Sequence, residues 1–497
     1  MKLSRRNFLS SSLFAMLSAA MVSSASSWAA ATCLPELPSH WDEKYDVVVV
    51  GSGFAGTAAA AEALSHGATV VLLEKMPVQG GNSVTAGGGF AAWTDNLKLR
   101  EKLGLGEDSF ERHKNDTLKG GDFYNIPELV DVLVREAPDA MNWMIEEGGL
   151  TLNKGLGRVG GHSAYRDHMA SGERYLRAML NIAKKHGFDK VRTQSKVTKL
   201  WRDSQGKIEG VQVQTPKGII NIRADKGVIL AAGGFGRDVA FRTSLVPTLG
   251  SAYNTTNQPS ATAETLKMVR EIGADTLHLE FIQLFPTANP KTGAIDRPAL
   301  FPIQFPGFGA VYVNNKGKRF VSELERRDVV AQAELATGDK NTWCVFNPQV
   351  YKSLTDKAEI ESFVKSGRLK TGKTIEDLAN AMEVPAEALV QSIDKHNKAI
   401  IEKKDNEFGK PTTASMQPMT EGPYYAVAQW PSVHHCQGGV RINEKAQVID
   451  IHGKVIPNLF AAGEFVGGVH GNNRLGGNAI ADCIVFGRVA ARNAIKN

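Results

Sequence analysis

Cysteine is scarce in this 497-residue sequence: Cys33, Cys344, Cys436 and Cys483 are scattered along the chain. That spacing excludes a disulfide scaffold, and without a CxxC or CxxCH pair it excludes c-type haem attachment as well. Long apolar runs are also missing. The stretch from Leu13 to Val22 is interrupted by serine and falls short of the ~20 residues that a membrane span needs, so no stable membrane insertion is expected. Basic clusters are absent: 58 Lys and Arg against 52 Asp and Glu give a scattered surplus of +6, which does not make the concentrated basic face of a nucleic-acid binder. No internal repeat or low-complexity tract appears. What remains is an ordinary globular composition, 42% hydrophobic and 22% charged, in a chain long enough for two domains or one domain with an insertion. Such a chain is a soluble enzyme or a binding protein.

Glycine is the excess. Its 49 residues bunch as GSGFAG, GGNSVTAGGG, AAGGFG and GGVHGNNRLGGN, and bunched glycine lets backbone approach something closely. Residues 1–31 have a different character: the paired Arg5 and Arg6, a modest apolar run and small residues around Ala29 to Ala31 resemble a twin-arginine export signal. The expected location is therefore the periplasm. Cys33 follows Thr32, which fits a lipidation signal poorly.

Tyr45 to Val50 is a continuous apolar run, as in a strand buried on both faces. GSGFAG follows at once, then an alanine-rich helix up to Gly67, then the strand ATVVLLEK with Glu74 at its end, twenty-three residues after Gly51. This is the order of a dinucleotide-binding unit. Gly51 makes the turn, Gly53 lets the backbone near a pyrophosphate, and Gly56 allows tight helix packing. The helix N-terminus stabilises negative charge, and Glu74 is placed to hold ribose hydroxyls. The segment KMPVQGGNSVTAGGGFAAW adds backbone donors that a flavin with its ribityl chain requires and a nicotinamide does not. Far downstream, the apolar strand Asn458 to Ala462 runs into Gly463 and Glu464. A helix starting near Asn478 would point its positive end at bound material.

GSGFAG, EKMPVQGGNS, VILAAGGFG, GKRFVSELERRD, HHCQGGV and AAGEFVGGVHGNNRLGGNAI together resemble the flavoprotein of the soluble, periplasmic flavocytochrome c fumarate reductases, from about Asp42 to the end. Urocanate and acrylate-type reductases, ketosteroid dehydrogenases and succinate dehydrogenase flavoproteins are related branches. The resemblance implies an α/β fold in which a Rossmann-like, glutathione-reductase-like FAD-binding domain is interrupted by an α+β capping domain. Expected boundaries are 1–31 for the export signal, 42–279 and 437–497 for the two parts of the FAD-binding domain, and 280–436 for the cap. It further implies noncovalent FAD held by Gly51, Gly53, Ala55, Gly56, Glu74, Lys75, Gly81, Asn82, Ser83, Gly87, Gly88, Val197, Gly233, Glu464, Asn478, Ala479 and Ile480. The alternating residues 191–231 read independently as an antiparallel flap returning to a central strand.

Reduction of an activated C=C bond requires a hydride, a proton donor and cations that withdraw charge from a carboxylate. Arg327 in GKRFVSELERRD matches the family's arginine acid, while His435 and Arg474 match its carboxylate clamp, with Gly477 nearby. Taken alone, Arg327 reads better as a salt-bridge partner for Asp328 or Glu323, and His434 or His435 as a structural histidine; the extended motif reverses this. Cys436 beside them lacks zinc spacing.

Departures from the family pattern are informative. Phe285 in IQLFPT stands where the fumarate reductases carry a histidine for the second carboxylate. Pro302 falls near a threonine of similar use, and Ile303 and Pro306 fall where the proton relay is expected. Phe285, Phe301, Phe305 and Phe308 crowd the region where dicarboxylate contacts are expected; for any one of them taken alone cap packing is the better reading, and the joint loss of three polar positions points to an apolar far end of the substrate. An acrylate-type 2-enoate such as a methacrylate or a cinnamate then fits better than fumarate. Relay candidates are Glu323, Glu325, Arg326 or water. With no haem motif and no D-x-x-T-G-A-T segment for covalent FMN, the expected electron donor is a separate periplasmic cytochrome c or flavin carrier in anaerobic respiration. Competing readings are fumarate reduction itself, a ketosteroid-type dehydrogenase, and a flavin carrier without catalysis.

Overall fold

The computed structural model describes residues 37–158, 161–352 and 354–496, so the expected export signal and Cys33 lie outside the described residues. The chain enters through strand β1 (Glu43–Val50), helix α1 (Phe54–Ser65) and strand β2 (Val70–Leu73). β1 carries four consecutive valines, all buried. It pairs in parallel with β2, Val47 opposite Val70. Such continuous burial on both faces is what makes its sequence apolar without alternation. α1 is alanine-rich because it is enclosed on every side; Ala58, Ala59 and Ala61 are fully inaccessible. A side chain on Gly56 would sit 1.8 Å from the carbonyl oxygen of Gly51, so only glycine lets the helix start this close to the turn.

Two further helices, α2 (Pro127–Glu146) and α3 (Gly172–Lys185), pack on this unit. Strands β3 (Lys196–Arg202), β4 (Ile208–Thr215) and β5 (Gly218–Leu230) then form an antiparallel meander. β5 is thirteen residues long and serves twice: its first half pairs with β4, and Gly227 to Leu230 run parallel to β1.

Beyond Leu277 the chain builds a second body around a separate core. Its strands are β6 (Ile282–Ala288), β7 (Val311–Val313), β8 (Thr342–Phe346), β9 (Leu369–Gly372) and β10 (Tyr424–Cys436), with helices α4 (Arg327–Ala336), α5 (Ile375–Met382) and α6 (Ala386–Ile401) interspersed. The sheet runs β6-β10-β8-β7, and β9 also pairs with β10. Its core contains Phe301, Phe305, Tyr312, Phe346, Tyr351 and Tyr425, distinct from the valine- and alanine-rich core under β1. The chain leaves and returns side by side, Thr276 against Val440 and Leu277 against Gly439.

The return path adds β11 (Gln447–Ile449), β12 (Val455–Ala461) and the last helix α7 (Asn478–Ala494), completing a sheet of order β11-β12-β5-β1-β2. α7 packs on α1 so closely that a side chain on Gly487 would meet the Ala55 carbonyl oxygen at 2.4 Å. A buried ion pair joins the two helices, Arg488 Nε to Glu62 Oε2 at 2.7 Å. Among the described residues no helix is long and apolar enough to cross a membrane, and no group of three or more His, Cys, Asp or Glu is arranged to hold a metal ion.

Candidate active site

At the carboxyl ends of β1, β2, β5 and β12 lies a pocket lined by Gly51, Gly53, Ala55, Glu74, Lys75, Gly81, Asn82, Ser83, Val197, Gly233 and Glu464 among others. The place is where open α/β sheets bind ligands. Gly51 has φ +102°, and a side chain there would meet the Ala231 carbonyl oxygen at 2.3 Å. The turn therefore cannot carry another residue. Gly53 is the N-cap of α1 and contributes no side-chain cap, so the helix's positive end faces the pocket. Ser83 Oγ accepts from Phe54 N at 2.9 Å, fastening the second glycine-rich segment to that helix start.

Glu74 is oriented by three bonds: Ser52 Oγ (2.7 Å) and Ser52 N (3.2 Å) donate to Oε2, and Met76 N (2.9 Å) donates to Oε1. Lys75 Nζ donates to Thr262 Oγ1 at 2.8 Å and pairs with Glu264 at 3.0 Å. Burial raises the Glu264 carboxyl, but Lys196 and Lys75 outweigh it and bring the pKa down to about 2. Burial pushes Glu464 up to about 7 despite the bond it accepts from Cys436 N at 3.0 Å. The glycine turn, helix end and oriented acid at the second strand together suit a dinucleotide, and the residues present fit FAD.

Other expected contacts act differently from the lining residues. Gly56 packs beneath Gly51, and a side chain on Gly88 would meet the Ala170 carbonyl oxygen at 1.6 Å. Gly87 is also outside the lining. Asn478 has its side chain turned to the helix Phe110–Gly120, accepting from His113 Nε2 at 3.0 Å and donating to Thr117 Oγ1 at 3.0 Å. Ile480 is in the core. Asn478, Ala479 and Ile480 thus offer backbone N–H groups at the start of α7, whose N-cap Gly477 has no side chain.

A second cluster brings Arg327, His434, His435 and Arg474 together from three segments. β6 and β10 pair with Gln283 opposite His435, placing both beside the loop that carries Arg474. Arg474 Nη2 donates to Gln283 Oε1 at 2.8 Å, and Gln283 Nε2 donates to the Arg474 carbonyl at 2.9 Å. Arg327 is the first residue of α4, and its guanidinium carbon lies 5.2 Å from the Phe285 ring centroid. His434 touches the same ring at 5.1 Å and holds Thr256 Oγ1 at 2.8 Å.

Two cations share this largely enclosed space. Burial lowers Arg327 to about 10, with Asp167 opposing. Burial and then the charge of Arg327 lower Arg474 to about 9. Both histidines fall well below the ordinary imidazole value, through burial first and Arg474 second, so they are neutral. Nε of Arg327, Nε of Arg474 and Nδ1 of His435 are buried without a hydrogen-bond partner among the described residues. Buried polar atoms left this way are costly unless a ligand completes them. An anion bounded by an aromatic wall satisfies this set.

Two sequence expectations are corrected. Phe301 and Phe305 do not reach this cluster: they stack on each other at 4.7 Å inside the cap core, and Phe308 packs against that core. Of the four phenylalanines, only Phe285 meets Arg327 and His434. Nor is Arg327 paired as its neighbours suggested. Glu323 is bound by Arg319 Nε at 3.0 Å and Lys410 Nζ at 3.1 Å, which removes it both as a partner and as a relay. Glu325 is exposed, and Arg326 pairs with Asp122 and Asp328.

Sequence reasoning missed Gln283, Asp167 and His470. Asp167 is fully buried, and a side chain on Gly477 (φ +82°) would meet its Oδ1 at 1.9 Å. His470 lies edge-on to His435 at 5.5 Å and bonds Asp482 at 3.2 Å. Only Gln283, two residues before Phe285, had a local signal.

Comparison with known proteins agrees with the pocket. The profile of the family described as "FAD binding domain" matches residues 46–480. The chain is similar to the fumarate reductase (cytochrome) of Shewanella frigidimarina, 37% identical over 93% of this chain and 78% of that protein. It is also similar to the acrylate reductase flavoprotein subunit of Shewanella woodyi, 33% identical over 91% of each. Among solved structures, the open conformation of a flavocytochrome c3 fumarate reductase superposes with a TM-score of 0.74 at 36% identity, covering 92% of this chain and 79% of that one.

Proposed function

Since the chain belongs to the FAD-binding family that includes the fumarate and acrylate reductases, we propose that it reduces the C=C bond of a small α,β-unsaturated monocarboxylate in the periplasm. The observation that carries this reading is the pair of desolvated guanidiniums, Arg327 and Arg474, beside neutral His435 and the ring of Phe285. FAD, when bound and reduced, supplies the hydride for the β carbon.

The chain's own residues do the rest. Arg474 is aimed by Gln283 and grips the substrate carboxylate with its planar fork, with His435 as a neutral second donor. Charge withdrawn onto these groups makes the β carbon electrophilic. Arg327 donates the proton to the α carbon; burial, which brings it down to about 10, makes that loss far easier than in water. Phe285 occupies the position across from the clamp. A second carboxylate against its ring would find no donor on residue 285 itself and would have to compete for Arg327, the acid, which lies over the ring.

FAD is held noncovalently in this reading. The pocket lining contains no histidine or tyrosine, and burial keeps the thiol of Cys483, its one cysteine, in the protonated, weakly nucleophilic form. Denaturing the purified protein in acid should release all flavin to the supernatant. A separate carrier as electron source is supported by the lack of haem motifs in the sequence, and a periplasmic reaction by the expected export signal in residues 1–31.

An anoxic substrate panel with reduced viologen, comparing acrylate, methacrylate, cinnamates, urocanate and fumarate, tests the proposal. A monocarboxylate should give the highest kcat/KM. Fumarate as the best substrate overturns the role given to Phe285, and no turnover with any of them overturns the reaction class.

A further inference from the structure

The loop from Gly120 to Ile126 lies against the loop that carries Arg474. Ile126 N donates to the Gly468 carbonyl at 2.7 Å, Asn472 N to the Gly121 carbonyl at 3.0 Å, and Asn473 Nδ2 to the Gly120 carbonyl at 3.2 Å. Within it Asp122 and Phe123 have φ of 54° and 60°. Two successive non-glycine residues in the left-handed region are strained, and such strain persists where surrounding contacts enforce it.

The enforced geometry aims Asp122 across the domain boundary. Its Oδ1 accepts from Arg326 Nη1 at 2.5 Å and its Oδ2 from Nη2 at 3.0 Å, while Asn472 Nδ2 donates to Oδ2 at 3.1 Å. Arg326 is the N-cap residue of α4, directly before Arg327. Asn472 stands two residues before Arg474. One carboxylate is thus bonded on the cap side to the neighbour of the acid, and on the FAD side to the loop of the clamp.

We propose that Asp122 is a positioning residue, and that its bidentate bond with Arg326 is a clasp that closes the cap and sets Arg327 opposite Arg474. The inference rests on the roles given above to those two arginines. Asp328 holds the other edge of Arg326, Nε to Oδ1 at 3.0 Å and Nη2 to Oδ2 at 2.7 Å. Arg326 is therefore already ordered within the cap, and closure needs only the approach of Asp122. A planar fork held in advance loses little freedom on pairing. The pair is partly exposed, so salt weakens it.

The test uses FAD-loaded full-length protein and the variants Asp122→Asn, Asp122→Glu, Arg326→Gln and the double variant Asp122→Asn/Arg326→Gln. Flavin content and melting temperature confirm folding; should Asp122→Asn fail to fold, Arg326→Gln carries the test alone. Each single variant is expected to lower kcat about tenfold, the scale of losing one charge-assisted bidentate pair. The double variant should be no worse, and Asp122→Glu should recover part of the loss. Raising ionic strength should lower kcat in the wild type and leave Asp122→Asn unaffected. Small-angle scattering without substrate should show a larger radius of gyration in the single variants. Unchanged kcat, additive losses or an unchanged radius each overturn the clasp. Scattering needs no turnover, so a wild type that reduces none of the carboxylates would end the proposed reaction while leaving the clasp decided by its own measurement.

Discussion

Replacing Arg327 by lysine separates an acid from a mere cation, because the structure sets where each residue would titrate. Burial takes Arg327 from the ordinary guanidinium value down to about 10, which at ~1.36 kcal/mol per unit makes proton loss about 3 kcal/mol easier. A lysine begins near 10.4 in water, so the same environment would bring it to about 8. Activity requires the protonated form and is lost as pH rises through the pKa. In the wild type the first group to lose its proton is Arg474, at about 9, which places the basic limb of kcat/KM there. In Arg327→Lys the limb should move down to about 8, with the plateau lowered because the shorter side chain reaches the α carbon less well. kcat/KM is the quantity to follow, since it reports the free enzyme before a substrate carboxylate shifts these groups. Steady-state assays across the neutral to alkaline range, with reduced viologen as donor, give the curve. A profile identical to the wild type's would show that residue 327 does not donate the proton. Arg327→Ala, which keeps the pocket but has no proton to give, should lose about 10²-fold or more.

Phe285→His, which restores a polar group where the second carboxylate of fumarate would lie, should raise kcat/KM for fumarate about tenfold relative to the monocarboxylate; no change in that ratio refutes the steric and polar role of the ring. Gly51→Ala places a methyl 2.3 Å from the Ala231 carbonyl at a φ of +102°, so purified protein should be folded by circular dichroism yet lack visible flavin absorbance, and full flavin content would contradict the tight turn. Arg488→Met removes the 2.7 Å partner of buried Glu62 and leaves only Arg492 Nε at 3.7 Å; thermal and urea denaturation should report a loss of about 1–3 kcal/mol, with substrate preference unchanged.

The dinucleotide unit was legible because its parts are local. β1, Gly51, α1 and Glu74 fall within one short stretch, and each residue type has a single backbone or charge requirement to meet. The antiparallel strands of residues 191–231 were legible for the same reason, through their alternation. Phe301 and Phe305 were placed wrongly because a short Pro- and Phe-rich helical stretch does not reveal which face turns inward; that depends on Phe346 and Tyr425, far along the chain. Asp167 and Asp122 left no sequence signal. Each draws its meaning from a segment more than two hundred residues away: Gly477 for one, Arg326 for the other. Glu323 looked available beside Arg327 and is consumed by Arg319 and Lys410, a pairing that sequence spacing alone would not rank above its rivals.

Strand β10 begins in the cap core at Tyr424 and ends at Cys436, whose backbone N–H bonds Glu464 in the dinucleotide pocket. His434 and His435 ride on its last turnings. Lid and clamp are therefore not interchangeable modules: a chimera that borrows another enzyme's lid imports its histidines too, and a junction cut inside this strand severs specificity from its support. Loading the prosthetic group should for the same reason protect amides along the far edge of the lid from hydrogen exchange, although none of them lines its cavity.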